Sequence, residues 1–221
     1  VKAMRTLTTE SAAVLMPSGS AEARRAAIAA EDADVTVTDM GYDDCVRLAR
    51  ELAGADPNGI LLQDTTLPGY ETLPRDIMRG YCAPTHVILQ AGVGSFAGAL
   101  SSALDEIFPQ AAPVFLVTET AAAPCLMLSA EAGEARACTG EIRTIMAGLA
   151  CGEPCIPGLR SLLGRARFFT ALPDIWAAEA MRALARPVDG DEVVVAGESG
   201  AAGFGLLLAL MRDASLSPLR E

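Results

Sequence analysis

The segment that most restricts the fold is residues 85 to 99, THVILQAGVGSFAGA. Its apolar run, Val87 to Leu89, is typical of a buried β-strand, and Gly92, Gly94 and Gly98 follow where a helix begins. Glycines let the backbone approach a ligand closely, and the unpaired N–H groups and dipole at the beginning of a helix favour an anion. The segment therefore predicts a glycine loop that binds a phosphate group, although glycines at such a turn also serve close packing alone.

Strands and helices alternate along most of the remaining chain. Alternation of this kind predicts parallel sheets covered by helices, with ligands at the carboxyl ends of the strands. A mostly helical stretch is expected between residues 121 and 163. The other predicted strands are residues 12–16, 34–38, 59–63, 114–118, 167–170 and 192–196, and the predicted helices are residues 20–32 (capped by Ser20), 43–53, 73–80, 95–108, 173–185 and 201–213.

Composition narrows the class of protein. The 221 residues are 51% hydrophobic, which is enough to bury the core of one large or two small domains. The formal net charge of −11 is dispersed along the chain, so neither a nucleic acid nor an anionic membrane is an expected partner. No apolar run approaches the roughly 20 residues that span a bilayer, and the first residues do not resemble a signal peptide. We therefore expect a cytoplasmic protein.

The cysteines do not form a metal-binding pattern. There are six of them, none in a C-x-x-C motif, and the sequence has a single histidine, His86, so no metal site is expected. The main expectation is separate thiols. Cys125 and Cys151 follow segments that end at the predicted ligand edge, and a reversible disulfide between them is a further possibility.

Polar residues follow three of the apolar segments. Asp64 comes directly after the predicted strand 59–63, Glu198 follows the predicted strand 192–196, and Thr144 begins the small-residue run TIMAGLACGEP. Because the carboxyl ends of parallel strands share one edge of a sheet, these residues are candidates for a common site. Each also has a structural interpretation, since an acid after a strand is often a turn residue or a helix cap.

A nicotinamide cofactor is an alternative to a simple phosphate group. Gly92, Gly94 and Ala97 fit the G-x-G-x-x-G/A dinucleotide fingerprint, and Glu119 provides an acid at the end of the following strand. That fingerprint normally marks the first strand-to-helix turn of its domain, whereas this strand lies in the middle of the chain. The dinucleotide interpretation is therefore the less favoured one.

Several segments, in order, resemble the diaminopropionate ammonia-lyases, which are pyridoxal-phosphate enzymes of fold type II, the tryptophan synthase β-like superfamily. The resemblance implies an α/β fold with two domains of parallel sheets flanked by helices and the cofactor in the cleft between them. It assigns residues 1–70 to the smaller domain and residues 71–221 to the larger one. The matching segments are LMPSGSAEAR, TDMGYDDCVRLA, LLQDTTLPGYETLP, THVILQAGVGSFAG, TIMAGLACGEP and GESGAAGFG.

The resemblance also implies roles for individual residues. Asp64 would take the Cα proton of the substrate or return a proton to it, and Glu198 would lie near the pyridine ring. The backbone N–H groups of the glycine loop would hold the cofactor phosphate, and a second segment would line the substrate side. The loop residues are Gly92, Val93, Gly94, Ser95, Phe96 and Ala97, and the substrate-side residues are Thr144, Met146, Ala147 and Gly148.

The reaction implied by the resemblance is α,β-elimination of 2,3-diaminopropionate to pyruvate and ammonia by a homodimer. The sequence shows no counterpart of the family's N-terminal segment with the Schiff-base lysine, of one internal helix near Tyr81, or of the C-terminal segment. Lys2, the only lysine, is the candidate for that lysine. Two alternatives remain open: a non-catalytic phosphate-binding relative that lost its lysine, and a nicotinamide-dependent oxidoreductase.

Overall fold

The computed structural model describes residues 12–61, 70, 74 and 82–219. The predictions made for Lys2, for Asp64 and for most of the helix 73–80 lie outside these residues. By its internal contacts the chain divides into two compact units, Val1–Gln63 and Asp64–Glu221.

The first unit is built from two strand-helix pairs: β1 (Ala13–Pro17), α1 (Glu22–Ala29), β2 (Asp34–Thr38) and α2 (Tyr42–Ala55). The two strands pair in parallel. Ser20 does not cap α1 as predicted, because Ala21 occupies the cap position and makes no side-chain hydrogen bond. The expected strand 59–63 is absent from its described part, residues 59–61, where the Ile60 side chain is exposed.

The second unit contains three strands and five α-helices in its described part. They are β3 (His86–Gln90), α3 (Ser95–Ile107), β4 (Val114–Thr120), α4 (Cys125–Ala132), α5 (Ile156–Leu163), β5 (Ala166–Leu172), α6 (Asp174–Ala185) and α7 (Ala202–Arg212), with 3₁₀ turns at Ala147–Leu149 and Ala214–Leu219. The stretch 121–163 is less helical than predicted. α4 ends at Ala132, because the next residue, Gly133, has a φ of 71°, and Gly148, Gly152 and Pro154 follow before α5.

The strands of the second unit form one parallel sheet in the order β3-β4-β5. Gln90 lies opposite Thr118, and Thr120 lies opposite Leu172, so the carboxyl ends of all three strands meet at one edge. The predicted parallel α/β architecture is thereby confirmed. His86 begins β3 and therefore lies at the opposite, amino end.

Helices cover both faces of this sheet because β4 is apolar on both sides. Phe115 and Val117 pack with α3, α4 and α5, whereas Leu116 packs with the cluster that includes α6 and α7. Each fully buried large side chain contributes roughly 1.5–3 kcal/mol to folding. The first cluster includes Leu89, Leu104, Leu126, Leu159 and Leu162, and the second includes Met146, Leu149, Leu172, Ala202 and Leu206.

The run EVVVA at 192–196 is not the strand that its valines predict. Val193 and Val195 are 65% and 91% exposed, and within the described part of the chain the segment joins neither sheet. Its Val194 N–H donates instead to the carbonyl of Leu184. β-Branched residues favour a strand only where a neighbouring strand provides hydrogen bonds and packing.

None of the described helices has the length and apolarity needed to cross a membrane.

Candidate functional site

The glycine loop connects β3 to α3 at the carboxyl edge of the sheet. Gly94 immediately precedes the helix and has a φ of 91°, a conformation that other residues rarely adopt. A Cβ on Gly94 would lie 2.9 Å from Cδ2 of Leu126. A side chain at this position would therefore enter the apolar core instead of the cleft.

Ser95, the first residue of α3, has a buried hydroxyl that finds no acceptor in the described part of the chain. The residue is 1% exposed, and its Oγ has no hydrogen-bond partner among the described residues. The first N–H groups of a helix, here those of Ser95, Phe96 and Ala97, also have no intrahelical acceptor. An unpaired buried polar group is destabilising, so this set of donors fits an anion such as a phosphate group.

A cleft of about 240 Å³ lies directly over the loop. The Tyr70 ring packs edge-on against Phe96, with 5.4 Å between ring centroids. The residues that line the cleft are Tyr70, Gln90, Ala91, Gly92, Val93, Gly94, Ser95, Phe96, Ala97, Gly148, Leu149 and Cys151. All six loop residues and one of the four predicted substrate-side residues, Gly148, therefore meet at one cleft.

The other predicted substrate-side residues lie in different surroundings. Thr144 directs its hydroxyl to the Asp174 carboxylate at 2.5 Å. Met146 is fully buried in the core cluster under α6 and α7, and Ala147 is exposed. The loop from Thr144 to Cys151 thus reaches the cleft only from Gly148 onwards.

The GESG segment before α7 contacts the same loop. The Gly148 N–H donates to Ser199 Oγ at 2.9 Å, and Glu198, the preceding residue, is half-buried. The structure therefore brings the two predicted segments TIMAGLACGEP and GESG together.

Cys125 and Cys151 flank Gly92 as separate thiols. Cys125 Sγ lies 3.7 Å from the Gly92 carbonyl oxygen, and Cys151 Sγ would lie 3.1 Å from a Cβ at Gly92. Burial, and then the charge of Glu119, raise the pKa of Cys125 far above its ordinary value. A thiol with a raised pKa forms little of the thiolate that disulfide exchange requires. The disulfide stays a prediction.

Glu119 does not have the role that a dinucleotide site would give it. Its two carboxylate oxygens each accept a backbone N–H at 2.8 Å, from Leu126 and Met127 in α4. Burial raises the pKa of Glu119 to about 7, although these hydrogen bonds favour the charged form. Both oxygens are occupied by the helix, so neither is directed to a ribose.

Sequence reasoning missed Asp174, Ser199 and Tyr70. Asp174 follows β5 at the carboxyl edge, where the sequence pattern predicts only the beginning of a helix, and Ser199 lies next to the predicted Glu198. Tyr70 belongs to the resembling segment LLQDTTLPGYETLP, but its aromatic contact requires the fold.

Taken together, a parallel α/β sheet, a glycine loop and a helix that begins with a buried hydroxyl unpaired among the described residues define the class of phosphate-binding α/β proteins. The family is more specific. The sequence profile of the pyridoxal-phosphate dependent enzymes matches residues 9–219, and the chain belongs to this family.

Relatives with known activities are similar over nearly the whole chain. The diaminopropionate ammonia-lyase of Salmonella typhimurium is 42% identical over 221 residues, and that of Escherichia coli K12 is 38% identical over 216 residues. In both cases the match covers 91% of this chain and 54% of the relative. The chain therefore spans about half the length of the curated relatives it matches.

Solved structures agree with the family. The E. coli diaminopropionate ammonia-lyase in complex with an aminoacrylate-PLP azomethine reaction intermediate has a TM-score of 0.85 and 37% identity, covering 96% of this chain and 57% of that one. Maize serine racemase, at 14% identity and a TM-score of 0.78, covering 98% of this chain and 65% of its own, shows the fold alone. The fold is that of the type II pyridoxal-phosphate enzymes.

The residues of the glycine loop fit pyridoxal phosphate, the cofactor of the family. No described residue provides an acceptor for the buried hydroxyl of Ser95, and a phosphate oxygen would supply one.

Proposed function

We propose that the full-length protein is a pyridoxal-phosphate dependent ammonia-lyase that converts 2,3-diaminopropionate to pyruvate and ammonia. The observation that carries the proposal is the glycine loop together with the buried Ser95 hydroxyl at the beginning of α3, which has no partner among the residues that the structure describes. The identity to two diaminopropionate ammonia-lyases supports the choice of substrate.

In this proposal the glycine loop binds and orients the cofactor. The phosphate oxygens would accept hydrogen bonds from the Ser95 hydroxyl and from the backbone N–H groups of Ser95, Phe96 and Ala97. The bound cofactor supplies a ring that accepts the electrons released when the substrate loses its Cα proton.

Gly148 and Glu198 are assigned to the substrate and to the cofactor ring, respectively. We place Gly148 on the substrate side, because it lines the cleft together with Leu149. Glu198 is not among the described residues that line the cleft, and its place beside the pyridine ring rests on the resemblance and on the contact of its neighbour Ser199 with Gly148. Thr144, Met146 and Ala147 lie outside the cleft and support the segment that contains Gly148. The two units are proposed to represent the smaller domain, residues 1–70, and the larger domain, residues 71–221.

Two residues outside the described part complete the proposal. Lys2 is the candidate for covalent attachment of the cofactor, since it is the only lysine in the sequence. Asp64 is the candidate carboxylate that moves the Cα proton, and His86 is excluded from that role because it begins β3 at the amino end of the sheet.

We expect Asp64→Asn in the full-length enzyme to keep its cofactor and to lose most of its turnover. Loss of a general base typically lowers a rate by ~10² to 10⁴. The measurement is pyruvate release at saturating substrate, with bound cofactor determined by absorbance. Turnover above about a tenth of wild type would place the base elsewhere.

The proposed reaction is tested by incubating the cofactor-loaded, full-length protein with 2,3-diaminopropionate. Elimination followed by hydrolysis releases two molecules of ammonia for each pyruvate, whereas the same treatment of serine releases only one. An absorbance maximum at about 410 to 420 nm reports lysine-bound cofactor. Cofactor binding without pyruvate release would favour the non-catalytic relative instead.

We also propose that the protein is a cytoplasmic homodimer acting on a small amino acid. The resemblance to the ammonia-lyases supports the dimer, and the dispersed negative charge supports a small-molecule partner over a nucleic acid. Light scattering of the purified full-length protein determines its oligomeric state.

A further inference from the structure

Asp174 joins two distant parts of the chain. It is the first residue of α6 and is separated from the end of β5 by Pro173 alone, and its carboxylate contacts a segment 30 residues earlier. Oδ1 accepts a hydrogen bond from the Thr144 hydroxyl at 2.5 Å, and Oδ2 accepts one from the Ile145 N–H at 2.9 Å. The two oxygens therefore hold the first two residues of the loop Thr144–Cys151, which we name the wall loop.

The Thr144 hydroxyl makes all of its hydrogen bonds within the protein. It donates to Asp174, and it accepts both the Thr120 hydroxyl at 3.0 Å and the Met146 N–H at 3.1 Å. A hydroxyl has one donor and two acceptor positions, so none remains for a ligand. Thr144 therefore links Asp174 and the end of β4 to the wall loop instead of contacting substrate.

The far end of the wall loop is held as well, and it lies against the glycine loop. The Gly148 N–H donates to Ser199, and the Gly148 carbonyl oxygen would lie only 3.2 Å from a Cβ on Gly92. Leu149 and Cys151 line the cleft. A displacement at the Thr144 end would consequently alter the cleft beside the glycine loop.

We propose that Asp174 is a positioning residue that holds the wall loop, through Thr144 and Ile145, as one side of the ligand cleft. Its effect on the substrate rests on the proposed function. The competing role is structural: an acid in the first turn stabilises its own helix through the helix dipole, and its loss would lower stability without changing the cleft.

Amide hydrogen exchange tests the contact directly in the full-length, cofactor-loaded protein. In Asp174→Ala the Ile145 and Met146 amides should exchange at least about tenfold faster than in wild type, since their local hydrogen bonds are lost or loosened. The matched control is Glu179→Ala, which removes a half-buried acid of the same helix that pairs with Arg182. Unchanged exchange at Ile145 and Met146 in Asp174→Ala would overturn the proposal.

Kinetics with 2,3-diaminopropionate test the consequence for the cleft. Asp174→Ala and Thr144→Val should each lower kcat/KM by about tenfold or more, mainly through KM, and the double variant should lose no more than either single one. Thr144→Ser, which keeps the hydroxyl, should recover most of the loss seen in Thr144→Val. An additive loss in the double variant, or the same kcat/KM in Asp174→Ala and Glu179→Ala, would contradict the positioning role.

The two measurements separate this inference from the proposed function. If wild type binds pyridoxal phosphate and releases no pyruvate, the proposed reaction fails, and the exchange rates alone decide whether Asp174 holds the wall loop. Should Asp174→Ala not fold, Thr144→Val provides both readouts, because valine retains the shape and removes only the hydroxyl.

Discussion

At the scale of single residues, two buried serines of α3 have opposite surroundings. Ser101 Oγ donates to the Gly98 carbonyl oxygen at 3.0 Å, whereas Ser95 Oγ has no acceptor among the described residues. A satisfied buried hydroxyl stabilises the protein modestly, and an unsatisfied one destabilises it. The Ser95 hydroxyl is therefore suited to bind a ligand, whereas the Ser101 hydroxyl stabilises the fold.

We expect Ser95→Ala to weaken pyridoxal-phosphate binding by about tenfold while leaving the stability of the cofactor-free protein unchanged or higher. Ser101→Ala, the matched control, should instead lower the free energy of unfolding by about 1 kcal/mol and leave the affinity unchanged. Absorbance titrations and denaturant unfolding measure the two quantities. Equal affinity of Ser95→Ala and wild type would remove Ser95 from the phosphate site.

Glu119 should make the stability of the protein depend on pH. Burial raises its pKa from an ordinary 4.5 to about 7, so the folded state favours the protonated form. The stability this provides is fully present below about pH 4.5 and is lost as the pH rises through about 7, by about 3 kcal/mol in all. Denaturant unfolding from pH 4.5 to 7.5 should show this decline in wild type, and Glu119→Gln should lack it. Parallel profiles for the two proteins would contradict the raised pKa.

At the scale of elements, α5 supports the glycine loop from behind. A Cβ on Gly158 would lie 2.6 Å from the Gly94 carbonyl oxygen, and the Cys155 N–H donates to the Val93 carbonyl oxygen at 2.7 Å. The absence of a side chain at Gly158 thus lets α5 approach the loop backbone closely. The position of α5 consequently determines the position of the loop.

We expect Gly158→Ala to lower the free energy of unfolding by about 1–3 kcal/mol, because the methyl group must displace the loop backbone. Cofactor affinity should fall with it. Gly164→Ala, at the end of the same helix, is the control. The atom nearest to a Cβ on Gly164 would be 3.9 Å away, so the stability of this variant should be unchanged or slightly higher. Thermal unfolding with and without pyridoxal phosphate measures both effects, and an unaffected Gly158→Ala would refute the close contact.

At the scale of the whole molecule, every described residue that lines the cleft belongs to the unit Asp64–Glu221. A ligand that binds only the folded state stabilises it in proportion to the logarithm of its concentration. Cofactor binding should therefore be visible as stability of this unit.

We expect pyridoxal phosphate at about one hundred times its Kd to raise the free energy of unfolding by about 2.7 kcal/mol. Pyridoxal, which lacks the phosphate, should give a smaller increase at the same concentration, because the helix donors then have no anion to bind. Scanning calorimetry or dye-based melting of the full-length protein provides the measurement. Equal stabilisation by the two compounds would show that the glycine loop does not bind the phosphate.

The sequence by itself determined the features that depend on near neighbours. The run Val87 to Leu89, the glycines after it and the helix from Ser95 could be read in order, because strand periodicity and backbone freedom are local properties. The same applies to the alternation of strands and helices, and hence to the parallel sheets. The resembling segments added the family, which the profile match confirmed.

Only the tertiary structure decided which side chains reach the cleft. Met146 lies in the core and Thr144 is bound by Asp174, whereas the resemblance predicts both on the substrate side. Residues 192–196 form no strand, although their valines predict one. These outcomes depend on partners far away in sequence: 30 residues separate Thr144 from Asp174. A hydrogen bond or a core contact between such partners forms when the sheet brings the strand ends together, and no local pattern encodes that meeting.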